Sequence, residues 1–261
     1  MTADNRNMFG LTARRDQVAV LLIDDDLVSR EVTATLLTLS GYAVHTAENG
    51  DSALDVLATM KPEPEIILMD TQMPGLSGTE LIGHMRERSK ARILAISGSE
   101  LPPEVVEAAD GFLIKPFEVA AMRRALDGGL GEAAASTAVS MIEPDAPVIN
   151  LAVLAQFRAL MPEPAVRQIY HAIVSDLGQR ASALELALAN GDMAEATRIG
   201  HTIKGGCAMA GATQAARLGA LIERNARNGS GNQLDNGEVL VGDLRAAAQA
   251  LESMLDPELP A

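Results

Sequence analysis

The sequence has little of what cross-linked or membrane-embedded chains are built from. Cys207 is its single cysteine, so an intrachain disulfide is impossible and a zinc site built on cysteines is disfavoured. No apolar run approaches the roughly 18 residues that a membrane-spanning helix needs. The opening segment, MTADNRNMFGLTARRDQ, contains no apolar stretch of the kind found in signal peptides. We therefore expect a cytoplasmic protein without a membrane partner.

Aromatic residues and positive charge are also scarce. The chain has no Trp, two Tyr and four Phe, so its core must be mainly aliphatic. Its net charge of −14 argues against a nucleic-acid partner, because phosphate backbones attract lysine and arginine rather than carboxylates. The hydrophobic fraction of 48% is nevertheless ample for packed globular structure.

Short β-branched runs alternate with helical patterns in the first half of the chain. The predicted strands are residues 18–23, 42–46, 66–69, 93–96 and 112–114. This alternation indicates βαβ units around a parallel five-stranded sheet, a doubly wound α/β fold. Only about residues 103–109 remain for the fourth helix, which should be short. The binding crevice of such a sheet lies at the carboxyl ends of its strands.

The second half has a different pattern, in which apolar residues recur at helical spacing throughout. This pattern favours an antiparallel helical bundle. Between the halves lies a small, polar, glycine-containing stretch that is typical of a linker. The predicted organisation is a flexible leader (1–16), an α/β domain (17–127), a linker (128–148) and a helical bundle (149–256).

Polar side chains cluster at the predicted strand ends. They are Asp24, Asp25 and Asp26 after the first strand, Asp70 at the end of the third, Ser97 at the end of the fourth and Lys115 after the fifth. Several carboxylates in one crevice attract a divalent cation, and Mg²⁺ suits a few carboxylates together with phosphate oxygens. With the metal and Lys115 neutralising phosphoryl oxygens, one aspartate can act as a nucleophile on phosphorus. Ser97 would donate a hydrogen bond to another phosphoryl oxygen.

These residues resemble the motifs of response-regulator receiver domains. The resemblance rests on the three consecutive aspartates, the sequence DTQMPG at 70–75, the serine, and KPF at 115–117, and it covers about residues 18–126. It implies that Asp70 is the phosphoacceptor and that Asp24 and Asp25 are the acidic pair, with Asp25 the direct Mg²⁺ ligand. It also implies that Asp24, Asp25, Asp70 and the backbone carbonyl of Gln72 form the Mg²⁺ site. Ser97 would then be the switch hydroxyl, Lys115 a contact of the phosphoryl group and Phe112 the aromatic switch residue.

Other interpretations of the acidic run remain open. Aspartate favours the N-cap position of helices, and we expect Asp26 to serve only in that way. The order Asp24-x-Asp26, serine, lysine also resembles haloacid-dehalogenase-type phosphatases. Those enzymes need a further acidic pair after the lysine, where this chain offers only Glu118, and that interpretation leaves the motif at Asp70 unexplained.

A histidine in the second half carries the other chemical pattern. His201, Lys204 and Gly205 lie at i, i+3 and i+4, on one helical face opposite an apolar stripe. We therefore predict that His201 points outward into solvent, where a neutral imidazole is a competent nucleophile and Lys204 would offset phosphoryl charge. The plainer alternatives are a surface histidine, as we expect His171 to be, and a helix end at Gly205 and Gly206.

The sequence HTIKG at 201–205 resembles the H-x-x-K-G motif of histidine-phosphotransfer domains. The resemblance implies that His201 accepts a phosphoryl group and that Lys204 and Gly205 support it. No stretch resembles the ATP-binding domain of a histidine kinase. We predict a phosphorelay protein, not an enzyme, that exchanges phosphoryl groups with a histidine kinase and at least one other receiver protein. The alternative is an interaction module in which the receiver controls a bundle that binds or inhibits a kinase.

Overall fold

Strands and helices alternate in the first part of the chain, and helices alone make up the second. The structure, a computed structural model, describes residues 18–98, 101–128, 147–228 and 236–255. Its residues divide into two units, with the boundary between Ala135 and Ser136. The predicted leader (1–16) and almost all of the predicted linker (128–148) lie outside the described residues.

The first unit contains five strands and five helices. They are β1 (Ala19–Ile23), α1 (Leu27–Leu39), β2 (Ala43–Ala47), α2 (Gly50–Thr59), β3 (Ile66–Asp70), α3 (Gly78–Arg88), β4 (Arg92–Ser97), α4 (Pro103–Ala108), β5 (Gly111–Ile114) and α5 (Val119–Leu126). All five predicted strands are confirmed with ends shifted by about one residue. The fourth helix is as short as the sequence predicts.

The strands form one parallel sheet in the order β2-β1-β3-β4-β5. β1 and β3 are buried along their whole length, as their continuous apolar sequences require when helices cover both faces of a sheet. The predicted doubly wound fold is confirmed. Because β1 and β3 are neighbours, Ile23 pairs with Met69, and the residues that follow each of them meet at the same edge.

Helix α1 begins directly after the acidic run. Asp26 is its N-cap, and its Oδ1 accepts a hydrogen bond from the backbone N–H of Ser29 at 2.7 Å. This confirms the expected capping role of Asp26. The side chain is thereby directed to the helix start, which leaves Asp24 and Asp25 to face the crevice.

The second unit is helical. Its elements are α6 (Leu151–Leu160), α7 (Glu163–Ala189), α8 (Met193–Met209), α9 (Thr213–Asn228) and α10 (Gly237–Leu255). α8 packs along α9, and α7 packs along α10. Arg245 of α10 pairs with Glu185 of α7, whereas Arg167, near the start of α7, contacts Leu255 at the end of α10. These two helices therefore run antiparallel, as the bundle prediction requires.

Two glycines allow α8 and α9 to approach closely. A Cβ atom on Gly200 would lie 2.5 Å from the backbone nitrogen of Glu223, and one on Gly219 would lie 2.5 Å from that of Lys204. Neither distance leaves room for a side chain, so only glycine fits at this crossing. The contact brings the backbone of α9 against the part of α8 that carries His201.

None of the helices in the described part of the chain is both long enough and apolar enough to cross a membrane.

Candidate functional site

Three carboxylates and one ammonium group meet at the carboxyl edge of the sheet. Asp24 follows β1, Asp70 is the last residue of β3, and Lys115 follows β5. Asp24, Asp25 and Asp70 each offer an oxygen atom, and these oxygens lie within 4.8 Å of one another. Parallel strands place their carboxyl ends together, and the side chains singled out by the sequence do converge.

Lys115 is the electrostatic centre of this cluster. Its Nζ lies 2.7 Å from Oδ2 of Asp24 and 2.7 Å from Oδ2 of Asp70, and the residue is 8% exposed. Burial acts to lower the pKa of Lys115, but the charges and hydrogen bonds of the two aspartates outweigh it and raise the pKa above its usual range. The ammonium group therefore stays charged and holds both carboxylates in place.

Asp24 is held by protein groups on both of its carboxylate oxygens. Oδ1 accepts a hydrogen bond from the backbone N–H of Asp26 at 3.0 Å, and Oδ2 accepts one from the hydroxyl of Ser29 at 2.6 Å. Ser29 was not predicted as a site residue, because nothing in its spacing separates it from the other residues of α1. Asp24 is thus fixed in one orientation before any ligand arrives.

The surroundings of Asp25 disfavour its ionised form. Burial raises its pKa, and repulsion from Asp70 and Asp24 raises it further, against the opposing effect of Lys115. A divalent cation would relieve that repulsion, and a set of closely spaced carboxylates is the kind of donor set that Mg²⁺ accepts. The residues present therefore fit Mg²⁺.

Gln72 and Ser97 are linked to residues of the cluster by backbone hydrogen bonds, whereas Phe112 lies within β5. The backbone N–H of Gln72 donates to Oδ1 of Asp70 at 2.8 Å, so the turn after β3 begins against the carboxylate. Ser97 is buried at the end of β4, and its carbonyl accepts the backbone N–H of Lys115 at 2.7 Å. Phe112 lies half-buried in β5, paired with Ala95. The metal, phosphoryl and switch roles assigned to these residues stay predictions.

His201 lies in the middle of α8, and its ring meets a carboxylate. Nδ1 lies 2.9 Å from Oε1 of Glu223 on α9, and the side chain is only 18% accessible. His201 is therefore half-buried against α9, rather than fully exposed to solvent as the sequence predicts. Helical periodicity places it opposite the apolar stripe, but the crossing at Gly200 and Gly219 brings α9 alongside that face.

Glu223 joins the charged groups around the histidine. Its Oε2 lies 3.3 Å from Nζ of Lys204, and its Oε1 lies 2.7 Å from Nη2 of Arg227. Burial acts to raise the pKa of Glu223, but the hydrogen bond with His201 and the charges of Lys204, His201 and Arg227 lower it to about 2. The carboxylate is therefore ionised at neutral pH and acts as an acceptor for Nδ1–H of the imidazole.

The surroundings of His201 distinguish it from His171. His171 is exposed on α7, whereas Lys204 and Gly205 are half-buried and Gly206 is buried within α8. Since α8 continues to Met209, the alternative of a helix end at these glycines is wrong.

Glu223 was missed because sequence spacing relates residues within one helix, and the pairing of α8 with α9 is a tertiary contact.

Comparisons with known proteins divide the chain in the same way. The family model described as response regulator receiver domain matches residues 20–127, and the Hpt domain model matches residues 168–256. The response regulator MprA of Mycolicibacterium vanbaalenii is 35% identical over 134 residues, which are 46% of this chain and 57% of that protein.

One relative spans both units. The sensor histidine kinase AruS of Pseudomonas aeruginosa is 29% identical over 222 residues, 81% of this chain but only 21% of the kinase. The chain thus spans little more than half the length of MprA and a fifth of AruS.

Among solved structures, the chemotaxis protein CheY4 of Vibrio cholerae is 29% identical with a TM-score of 0.40, covering 43% of this chain and 98% of its own. The chain therefore combines a response regulator receiver domain with a histidine-phosphotransfer (Hpt) domain, within the framework of two-component systems.

Proposed function

We propose that the chain is a phosphorelay protein that carries phosphoryl groups on Asp70 and on His201. The observation that carries this proposal is the pairing of each acceptor with a fixed counter-charge. Lys115 Nζ lies 2.7 Å from the Asp70 carboxylate, and the Glu223 carboxylate lies 2.9 Å from the His201 ring. Each site thus holds a nucleophile in one orientation beside groups that compensate the charge of the transfer.

In the receiver, an oxygen of Asp70 attacks the phosphorus of a donor phosphohistidine. The new P–O bond forms as the donor P–N bond breaks, and the electron pair returns to the donor imidazole. Asp24, Asp25, Asp70 and the carbonyl of Gln72 would hold Mg²⁺, which supplies positive charge for the phosphoryl oxygens. Lys115 contributes a second positive charge, and the buried hydroxyl of Ser97 is the proposed donor to a third oxygen.

In the Hpt domain, the contact with Glu223 selects the nucleophilic atom. An ionised carboxylate accepts a hydrogen bond, so Nδ1 of His201 carries the proton and the lone pair lies on Nε2. Attack by Nε2 on phosphorus makes the ring positively charged, and Glu223 stabilises that charge as a carboxylate stabilises an imidazolium in hydrolases. The reverse transfer breaks the P–Nε2 bond and returns a neutral ring without moving any other proton.

The proposed exchange partners are a histidine kinase, at least one other receiver protein, and the two sites of this chain with each other. The chain acts as a phosphoryl carrier in the cytoplasm rather than as a kinase, with Phe112 as the switch residue of a receiver domain at 17–127. The Hpt domain then occupies 149–256. Support for the carrier role comes from the two matched domain families.

Labelling of the full-length chain tests the two acceptors separately. We expect acetyl phosphate to label the His201→Gln chain in an alkali-labile form that requires Mg²⁺ and disappears with EDTA. Phosphoramidate should label the Asp70→Asn chain in an alkali-stable, acid-labile form, as a phosphohistidine requires. Both labels should vanish in the double variant.

A matched histidine provides the control for the Hpt site. His171→Gln, made in the Asp70→Asn chain, should leave the alkali-stable label intact, because His171 is an exposed residue of α7. Persistent acid-labile label in the double variant, or loss of label in the His171 variant with the fold intact, would refute the assignment.

A further inference from the structure

Arg227 is a cation of the His201 cluster that no sequence motif singles out. Its Nη2 lies 2.7 Å from Oε1 of Glu223, the same oxygen that lies 2.9 Å from Nδ1 of His201. The two nitrogens therefore cannot be farther apart than the sum of these distances. The side chain of Arg227 is 58% accessible, so it stands on the water side of the cluster.

The antiparallel crossing places a basic residue before and after the histidine along the paired helices. Gly200 contacts Glu223 while Gly219 contacts Lys204, so residue numbers rise along α9 as they fall along α8. Arg227, one turn beyond Glu223, therefore lies towards the start of α8. Lys204 is one turn beyond His201 in the other direction. Along the helix axes, the backbone position of His201 therefore lies between those of Arg227 and Lys204.

The net charge of the cluster before and after phosphorylation indicates the effect of the Arg227 charge. With the His201 ring in the neutral form that acts as the nucleophile, Lys204, Arg227 and Glu223 leave the cluster with one net positive charge. A phosphoryl group on Nε2 brings about two negative charges, and the ring gains one positive charge. The phosphorylated cluster is then close to neutral. Without Arg227 it would carry a net negative charge, because Lys204 and the charged ring would have to offset both Glu223 and the phosphoryl group.

We propose that Arg227 is a charge-compensating residue of the phosphohistidine site, which offsets Glu223 so that the carboxylate that orients His201 does not repel the phosphoryl group. Arg227 then raises the fraction of His201 that is phosphorylated at equilibrium. This inference rests on the proposed role of His201 as phosphoacceptor.

The test measures that equilibrium in the full-length Asp70→Asn chain. Phosphoramidate and ammonium at fixed concentrations set the equilibrium ratio of phosphorylated to unphosphorylated His201. In this reaction Nε2 attacks phosphorus, the P–N bond of phosphoramidate breaks, the P–Nε2 bond forms and ammonia is released. ³¹P NMR gives the phosphohistidine fraction, approached from both directions. The variants are Arg227→Gln, Arg227→Lys and, as a matched control, Arg224→Gln, which removes an exposed arginine from the same helix.

We expect Arg227→Gln to lower the equilibrium constant about threefold to fivefold, as loss of one partly exposed charge interaction would. Arg227→Lys should restore most of it, Arg224→Gln should change it little, and the difference should shrink in about 1 M salt. A purely structural role would alter thermal unfolding but not the equilibrium constant.

An unchanged or increased constant in Arg227→Gln, or an equal fall in Arg224→Gln, would overturn the proposal. In the Asp70→Asn chain, His201→Gln must remove the ³¹P resonance of phosphohistidine. Persistence of that resonance would refute the proposed function instead.

Discussion

At the scale of single residues, each site is centred on a buried charge that several opposite charges share. Lys115 is shared by Asp24 and Asp70, and Glu223 is shared by His201, Lys204 and Arg227. A buried charge is tolerated only when it is paired and hydrogen-bonded. Removing either central charge would leave its partners uncompensated.

Glu223 makes the stability of the Hpt domain depend on pH. Its pKa in the folded chain, about 2, lies below the ordinary value of 4.5. The stabilisation is therefore fully present above about pH 4.5 and is lost as the pH falls towards 2. We expect the advantage in unfolding free energy of wild type over Glu223→Gln to shrink by about 1–3 kcal/mol across that interval, because the amide does not titrate there.

Exchange protection of the α8 and α9 amides measures this difference within the full chain. Glu185→Gln is a suitable control, since Glu185 forms an exposed ion pair with Arg245 and such pairs contribute little. If the advantage of wild type over Glu223→Gln stays constant from about pH 5 to about pH 2, the interaction of Glu223 with its neighbours is not electrostatic.

At the scale of secondary structure elements, the crossing of α8 and α9 determines the surroundings of His201. Gly200→Ala should destabilise the Hpt domain by about 1–3 kcal/mol or more, since its Cβ would lie 2.5 Å from backbone of α9. It should also lower phosphohistidine formation, because the helices must separate where Glu223 meets the ring. Amide exchange and phosphoramidate labelling check the two effects.

A second helical glycine provides the control for this prediction. A Cβ on Gly242 of α10 would meet no atom within 4 Å, so Gly242→Ala should be neutral or stabilise the helix by about 0.5–1 kcal/mol. A Gly200→Ala variant as stable as wild type would mean that α8 and α9 do not cross at these glycines.

More of the receiver site than of the Hpt site could be predicted from the sequence, for a physical reason. A parallel sheet fixes where strand ends go, so Asp24, Asp70 and Lys115 could be placed together from strand positions alone. No comparable rule says which faces of a helical bundle meet. The spacing within α8 indicated His201 and Lys204, but Glu223 and the glycine crossing depend on how α8 packs against α9.

At the scale of the whole molecule, two units each hold a nucleophile of a different chemical kind. In the proposed relay, an aspartyl phosphate would form at the edge of a sheet with a metal ion bound, whereas a phosphohistidine would form on a helix beside a carboxylate. The proposed exchange between Asp70 and His201 requires a phosphoryl group to pass from one kind of site to the other. Chemical stability distinguishes them, because only the phosphohistidine survives alkali.

The most direct measurement mixes two full-length variants, each lacking one acceptor. The His201→Gln chain is loaded on Asp70 with acetyl phosphate and Mg²⁺, freed of donor, and added to an affinity-tagged Asp70→Asn chain. We expect alkali-stable label to appear on the tagged chain as alkali-labile label leaves the other. The tagged chain incubated with acetyl phosphate alone should remain unlabelled. If the loaded chain loses its label only to water and no alkali-stable label appears on the tagged chain, Asp70 and His201 do not exchange phosphoryl groups between molecules, and a relay between separate chains is contradicted.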